Sequence, residues 1–143
     1  MKAFVFCAVA LLTVSLWASA RQIGARTTAG GVFTAAQASR GRAAYVEHCL
    51  KCHQKDLKGL DDAPPLVGHD FLVTWEQPNT LRDLFTKVCV SMPDDLPGSL
   101  SDATCVDLLA FILQQNGMPV GREDLTLAGL RDVVMTEIPA AVR

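Results

Sequence analysis

Residues 47–54 read Glu-His-Cys-Leu-Lys-Cys-His-Gln, which puts cysteines at 49 and 52 and a histidine directly after the second. The chain has 143 residues and only three histidines. Three chemistries use such a thiol pair. The thiols can cycle as a redox disulfide, bind a metal with other ligands, or bond covalently to a haem whose iron takes the histidine.

The surrounding sequence discriminates among them. A structural zinc site needs a second Cys/His pair at short spacing, and none is present. Cys89 and Cys105 could complete a four-thiolate set, but neither sits in a C-x-x-C knuckle. A thioredoxin-like pair belongs to a βαβ context, which the pattern lacks. The haem reading has a geometric reason. On the last turn of a helix, residues three apart face the same side. Cys49 and Cys52 then reach the two vinyl groups on one haem edge, and His53 takes the iron as proximal ligand.

The amino terminus supports export. Residues 1–20 hold one basic residue, Lys2, then an apolar run that ends in Ala18-Ser19-Ala20. That is the pattern of a cleaved secretory signal. The run is short for a spanning helix, so an uncleaved anchor is the secondary reading and no stable membrane insertion follows cleavage. Losing Lys2 takes the net charge from -2 to -3. A mildly acidic chain is a poor partner for nucleic acid. An exported, periplasmic setting is oxidising. Cys7 leaves with the signal, and Cys49, Cys52, Cys89 and Cys105 remain.

Residues 21–33 are Gly/Thr/Ala-rich and predict a flexible leader before a single domain over 34–143. Thr34 and Gln37 predict a capping box for a helix over roughly 35–49. Residues 54–69 carry turn formers and predict a loop. His69–Trp75 reads as a short helix. Thr80 caps a third, with Leu81, Leu84, Phe85 and Val88 at helical spacing. Prolines and a glycine break the pattern over 91–100. Ser101 starts a fourth helix, with Cys105, Leu108, Leu109, Ile112 and Leu113 on one stripe and Gly117 as its stop. Leu127, Leu130, Val133 and Val134 suggest a weak last helix. No strand pair is expected. The fold class is all-α, with long loops that need something other than a continuous protein core to pack against.

These motifs, in this order, resemble the small single-haem class I c-type cytochromes, bacterial periplasmic members above all. The resemblance runs from about Ala35 to Gly121: Gly41 and Tyr45 before CLKCH, then APPLVG at 63–68, Met92-Pro93, and DLLAFIL in the last main helix. It implies three to five helices around one covalently attached haem c, with electron transfer as the task. It places the sixth iron ligand in the loop between the third and fourth helices. Met92 and Met118 both precede proline, so the dipeptide alone does not choose; the position favours Met92, leaving Met118 and Met135 as core filler. The ring of His53 needs an acceptor for its other N–H. The resemblance assigns this to Pro64 in Pro64-Pro65-Leu66-Val67-Gly68, or to Pro65 if the register slips, and makes Leu66 a haem wall. Trp75 either donates its indole N–H to a haem propionate or simply packs. Gly41 permits a close crossing of the first and last helices, locked by Tyr45 against Phe111.

Haem claims two of the mature cysteines, and export permits the other two to pair. A Cys89–Cys105 disulfide around the Met92 loop is therefore expected, with two separately buried thiols as the alternative. The function implied is a one-electron carrier with no substrate of its own. Its redox partners would be a donor such as a quinoprotein dehydrogenase or an acceptor such as an oxidase. Lys51, Lys55 and Lys58 near the haem edge are either a docking ring or a solvated face. The competing class is an open-site haem enzyme or a gas or redox sensor, which requires Met92 to be unbound and has only His69 as a distal acid–base group.

Overall fold

The computed structural model describes residues 26–76 and 78–136. The expected secretory signal, the first part of the expected leader and the last seven residues lie outside the described residues. Five α-helices carry the fold: α1 (Ala35–His48), α2 (Leu50–His53), α3 (His69–Trp75), α4 (Leu81–Ser91) and α5 (Asp102–Gln115). The all-α expectation holds.

Local chemistry sets the helix starts. The Thr80 hydroxyl accepts from the Arg82 backbone N–H, while the Asp83 carboxylate accepts from the Thr80 backbone N–H at 2.8 Å, so α4 begins with a reciprocal capping box. Ser101 caps α5 by accepting from the Thr104 N–H. At α1 only half of the expected box forms. Thr34 accepts from the Gln37 N–H, but the Gln37 side chain is buried and exchanges two hydrogen bonds with the Leu125 backbone instead. A buried amide needs both partners, and the C-terminal segment supplies them.

α5 is the centre. Its buried set extends beyond the expected stripe to Val106, Ala110 and Phe111, because α1 covers one side and the main cluster the other. α1 crosses α5 at Gly41, where a Cβ would stand 1.8 Å from the Asp107 carbonyl oxygen. Only glycine allows that approach. One turn further along, the Tyr45 and Phe111 rings meet at 5.1 Å between centroids, tilted by 49°.

Three expectations are corrected: the extent of the leader, the helical tail and the absence of a strand pair. Residues 26–33 are not a leader. Arg26–Thr27 (β1) pairs in parallel with Val133–Val134 (β2), Thr28 is fully buried, and Val32 and Phe33 belong to the main core. The tail is a 3-10 turn over Ala128–Asp132 followed by β2, not an α-helix. The reason is burial: Leu130, Val133, Val134 and Met135 all pack inward, and a two-residue ladder satisfies their backbone while keeping them there. The stretch leading into this tail is tied to α1 and α5 through Arg40, which bridges Asp107 and Asp124, and Thr34 also bonds Asp124. No described helix is long and apolar enough to cross a membrane.

Candidate haem-attachment site

α1 ends at His48, and Cys49 is a junction residue (φ -123°, ψ -29°) that starts the four-residue helix α2. The thiol pair therefore straddles a break between two helices rather than lying on the last turn of one. Both thiols are unbridged, Cys49 half-buried and Cys52 exposed. Burial, then the neighbouring Cys52, pushes the Cys49 thiol up to about 11. A reactive redox dithiol needs its nucleophilic thiol lowered, and Cys49 is shifted the other way.

His53 is buried, and its Nδ1 lies 3.0 Å from the Pro64 carbonyl oxygen. A carbonyl only accepts, so Nδ1 carries the proton and the Nε2 lone pair is left for a metal. Pro64, not Pro65, is thus the acceptor. The 54–66 loop is folded tightly to bring Pro64 there. Gly59 N–H donates to the His53 carbonyl and Leu66 N–H to the Leu57 carbonyl. Gly59 sits at φ +78°, and a Cβ on it would stand 1.9 Å from the Ala63 carbonyl oxygen. Gln54 and Leu57 also take positive φ, at +62° and +60°, and Gln54 combines it with an extended ψ of 169°. Each costs on the order of 1–3 kcal/mol for a residue with a side chain. Burial of Leu57 and the bond from the Tyr45 hydroxyl to the Gln54 carbonyl (2.6 Å) offset it. Burial also raises the Tyr45 pKa, keeping that donor protonated. No sequence signal marks Gln54 and Leu57 for positive φ.

Part-exposed apolar side chains flank the segment that carries the thiols and His53. Leu66, Val88 and Leu100 pack against both hydrophobic clusters, and Val67, Leu50 and Cys49 pack against the Tyr45–Phe111 cluster. Met92 follows α4 as its C-cap and is half-buried. Met118 and Met135 are deep in the main core, at 3% and 1% exposure. Among the described methionines, only the Met92 thioether is left uncommitted by core packing. Lys51 of α2 pairs with Asp95 at 3.8 Å, so the Met92 loop lies alongside the thiol-bearing turn. Trp75 is half-buried against the main cluster, its ring 6.5 Å from that of Phe71. His48 lies 3.8 Å from the Glu47 carboxylate. Cys89 and Cys105 are bridged, with Cα atoms 5.7 Å apart. That removes both from any four-thiolate set, and among the described residues no three His, Cys, Asp or Glu side chains converge as metal ligands.

Fold and site together define a c-type cytochrome of the class I kind. The chain belongs to the family described as cytochrome c oxidase, cbb3-type, subunit III, whose profile matches residues 36–112, more than half of its length. It is also similar to a chain in the crystal structure of the sulfane dehydrogenase SoxCD from Paracoccus pantotrophus, at 28% identity and a TM-score of 0.54 over 79% of this chain. It spans only 55% of that solved chain. No curated protein matches the sequence significantly.

The cofactor of the family is haem c, and the residues fit it. Two free thiols three apart, a histidine with its Nδ1 proton already engaged, and part-exposed apolar side chains around the Tyr45–Phe111 cluster are the donors and the apolar surface such a group needs.

Proposed function

We propose that the chain is a one-electron carrier of an exported electron-transfer chain, serving as the cytochrome partner of a dehydrogenase or an oxidase. Cys49 and Cys52 anchor the haem, His53 and Met92 hold its iron, and Leu66 walls it. Haem supplies a single reversible electron at the iron. The observation that carries the reading is the Pro64–His53 hydrogen bond, which fixes the imidazole tautomer and aims Nε2 away from the loop.

The chain's own residues set the rest. Met92 offers a neutral, polarisable ligand that favours the reduced state and raises the potential, as suits a carrier. The apolar side chains lower the local dielectric and keep water from the iron. Trp75 stands ready to donate its indole N–H to a propionate. A dehydrogenase donor is favoured by the similarity to a chain of the sulfane dehydrogenase SoxCD. An oxidase acceptor is favoured by the family's own description.

A potentiometric titration of the purified holoprotein tests this reading. It should follow a single one-electron curve with one electron per chain, and the protein should not turn over peroxide. Multi-electron behaviour, or sustained peroxide turnover, would instead make it an enzyme.

A further inference from the structure

We propose that the Cys89–Cys105 disulfide is a positioning pair: it holds Met92 at the iron and so closes the site to external ligands. The inference rests on the reading of Met92 as sixth ligand, and it concerns what keeps that ligand in place. The family motifs do not contain these two cysteines.

The loop that presents Met92 has little else to fix it. Residues 94–99 are all exposed, Leu96 among the most exposed hydrophobics of the chain. Its backbone bonds are two internal turns, Leu96 N–H to the Pro93 carbonyl and Ser99 N–H to the Leu96 carbonyl. Neither ties it to another element. The Lys51–Asp95 pair is exposed on both sides, and such pairs hold weakly and yield to salt. Leu100 is the loop's one contact with the hydrophobic clusters.

The disulfide sits at the base of this loop. Cys105 is wholly buried in α5 and Cys89 nearly so in α4. The bridge therefore ties the loop's start to the most buried helix of the fold. Met92 is three residues past Cys89, and three extended residues span at most about 10–11 Å. Fixing Cys89 thus bounds the excursion of the thioether from its short side. Without the bridge, the end of α4 is free to fray, and Met92 frays with it. Burial of both sulfurs also argues against a thiol switch, because a reductant cannot reach them in the folded protein.

The consequence is selectivity. An external ligand binds only the fraction of molecules in which Met92 is off the iron, so its apparent affinity is reduced by that fraction. The disulfide keeps the fraction small. Met92 separates a carrier from an open-site haem protein on this scaffold, and the disulfide keeps Met92 in that role.

The test uses ferric holoprotein and imidazole as the probe ligand. The Cys89→Ala/Cys105→Ala variant is compared with wild type, Met92→Ala and Arg40→Ala, well below every unfolding temperature. A Cys89→Val/Cys105→Ala variant is carried in parallel, because it restores apolar volume without the bond should the alanine pair not mature. We expect the cysteine variants to bind imidazole at least about tenfold more tightly, following the rise in open fraction. They should also lose part of the red-end charge-transfer band of methionine-bound ferric haem. Arg40→Ala breaks the Asp107 and Asp124 ties, so it should lower the unfolding temperature while leaving imidazole affinity and the band unchanged. Wild-type affinity in the cysteine variants, beside tighter binding in Met92→Ala, would overturn the clamp and leave the ligand assignment standing. Unchanged binding in Met92→Ala would overturn both. Equal gains in Arg40→Ala and the cysteine variants would reduce the bridge to a general stabiliser and also overturn the clamp.

Discussion

Replacing Gly41 with alanine tests the packing that holds the site together. The added Cβ would stand 1.8 Å from the Asp107 carbonyl oxygen and 2.9 Å from the Phe111 Cβ, where ordinary contact begins at 3.4 Å. Both obstacles lie on α5, one of them backbone, so α1 and α5 must separate by about 1.6 Å, the difference between 3.4 and 1.8 Å. A gap of that size forfeits more than half of the dispersion well for atoms along the crossing. The gross loss is about 3–4 kcal/mol, comparable with removing a large core side chain. Alanine's better helix propensity returns roughly 1 kcal/mol. The net is about 2–3 kcal/mol, or a fall of about 9–13 °C in Tm for a domain of this size. Circular dichroism melting of the holoprotein measures it. The Tyr45 hydroxyl should also lose its hold on the Gln54 carbonyl, visible as a perturbed haem spectrum. A Gly41→Ala protein as stable as wild type would refute the argument that the α1–α5 crossing is closed to any side chain.

Three further predictions follow from the site and its supports. Replacing Cys49 or Cys52 with alanine should leave haem partly or wholly extractable under acid denaturing conditions, as read by the absorbance of extract and pellet. Met92→Ala should abolish the red-end charge-transfer band and lower the potential at little cost in stability. Met118→Ala should leave band and potential intact but cost about 2–5 kcal/mol, because Met118 is buried in the main core. Asp83 is held below the usual carboxylate range by the Thr80 backbone N–H and then the Thr80 hydroxyl, and Asp124 by the Thr34 hydroxyl and then Arg40. Depressed folded-state values stabilise above the unfolded pKa of about 3.9 and are lost as pH falls through the folded values. Tm should therefore hold steady from neutrality into mild acid and fall below about pH 4, more gently in a Thr34→Val/Thr80→Val variant.

Much of this protein is legible along the chain because its signals are local. CLKCH carries its chemistry in five residues, and the breaks at 91–100 and Gly117 bound helices whose apolar spacing is plain. Gly41, Tyr45 and Phe111 mark a helix crossing that the structure realises. What stays hidden depends on long separations or single backbone angles. The β1–β2 pairing joins Arg26 to Val133 across more than a hundred residues, and a two-residue strand has no periodicity to read. Gln37 fits a capping box by spacing, yet its amide is taken by Leu125, eighty-eight residues away. Gln54 and Leu57, at positive φ, carry residue types that favour other conformations, and only the surrounding hydrogen bonds and burial hold them. Cys49 was expected on a helix's last turn; the helix breaks there because the chain must swing His53 beneath the Pro64 carbonyl.

The central claim is that Cys49, Cys52, His53 and Met92 together make a covalent, six-coordinate haem site. The visible spectrum of the purified holoprotein, recorded oxidised and reduced and then after acid denaturation, tests it most directly. The account predicts a low-spin haem c spectrum with the ferric red-end band of a methionine ligand, and haem that stays on the unfolded chain. Haem that extracts completely from the wild-type protein, or a high-spin ferric spectrum without that band, would contradict it.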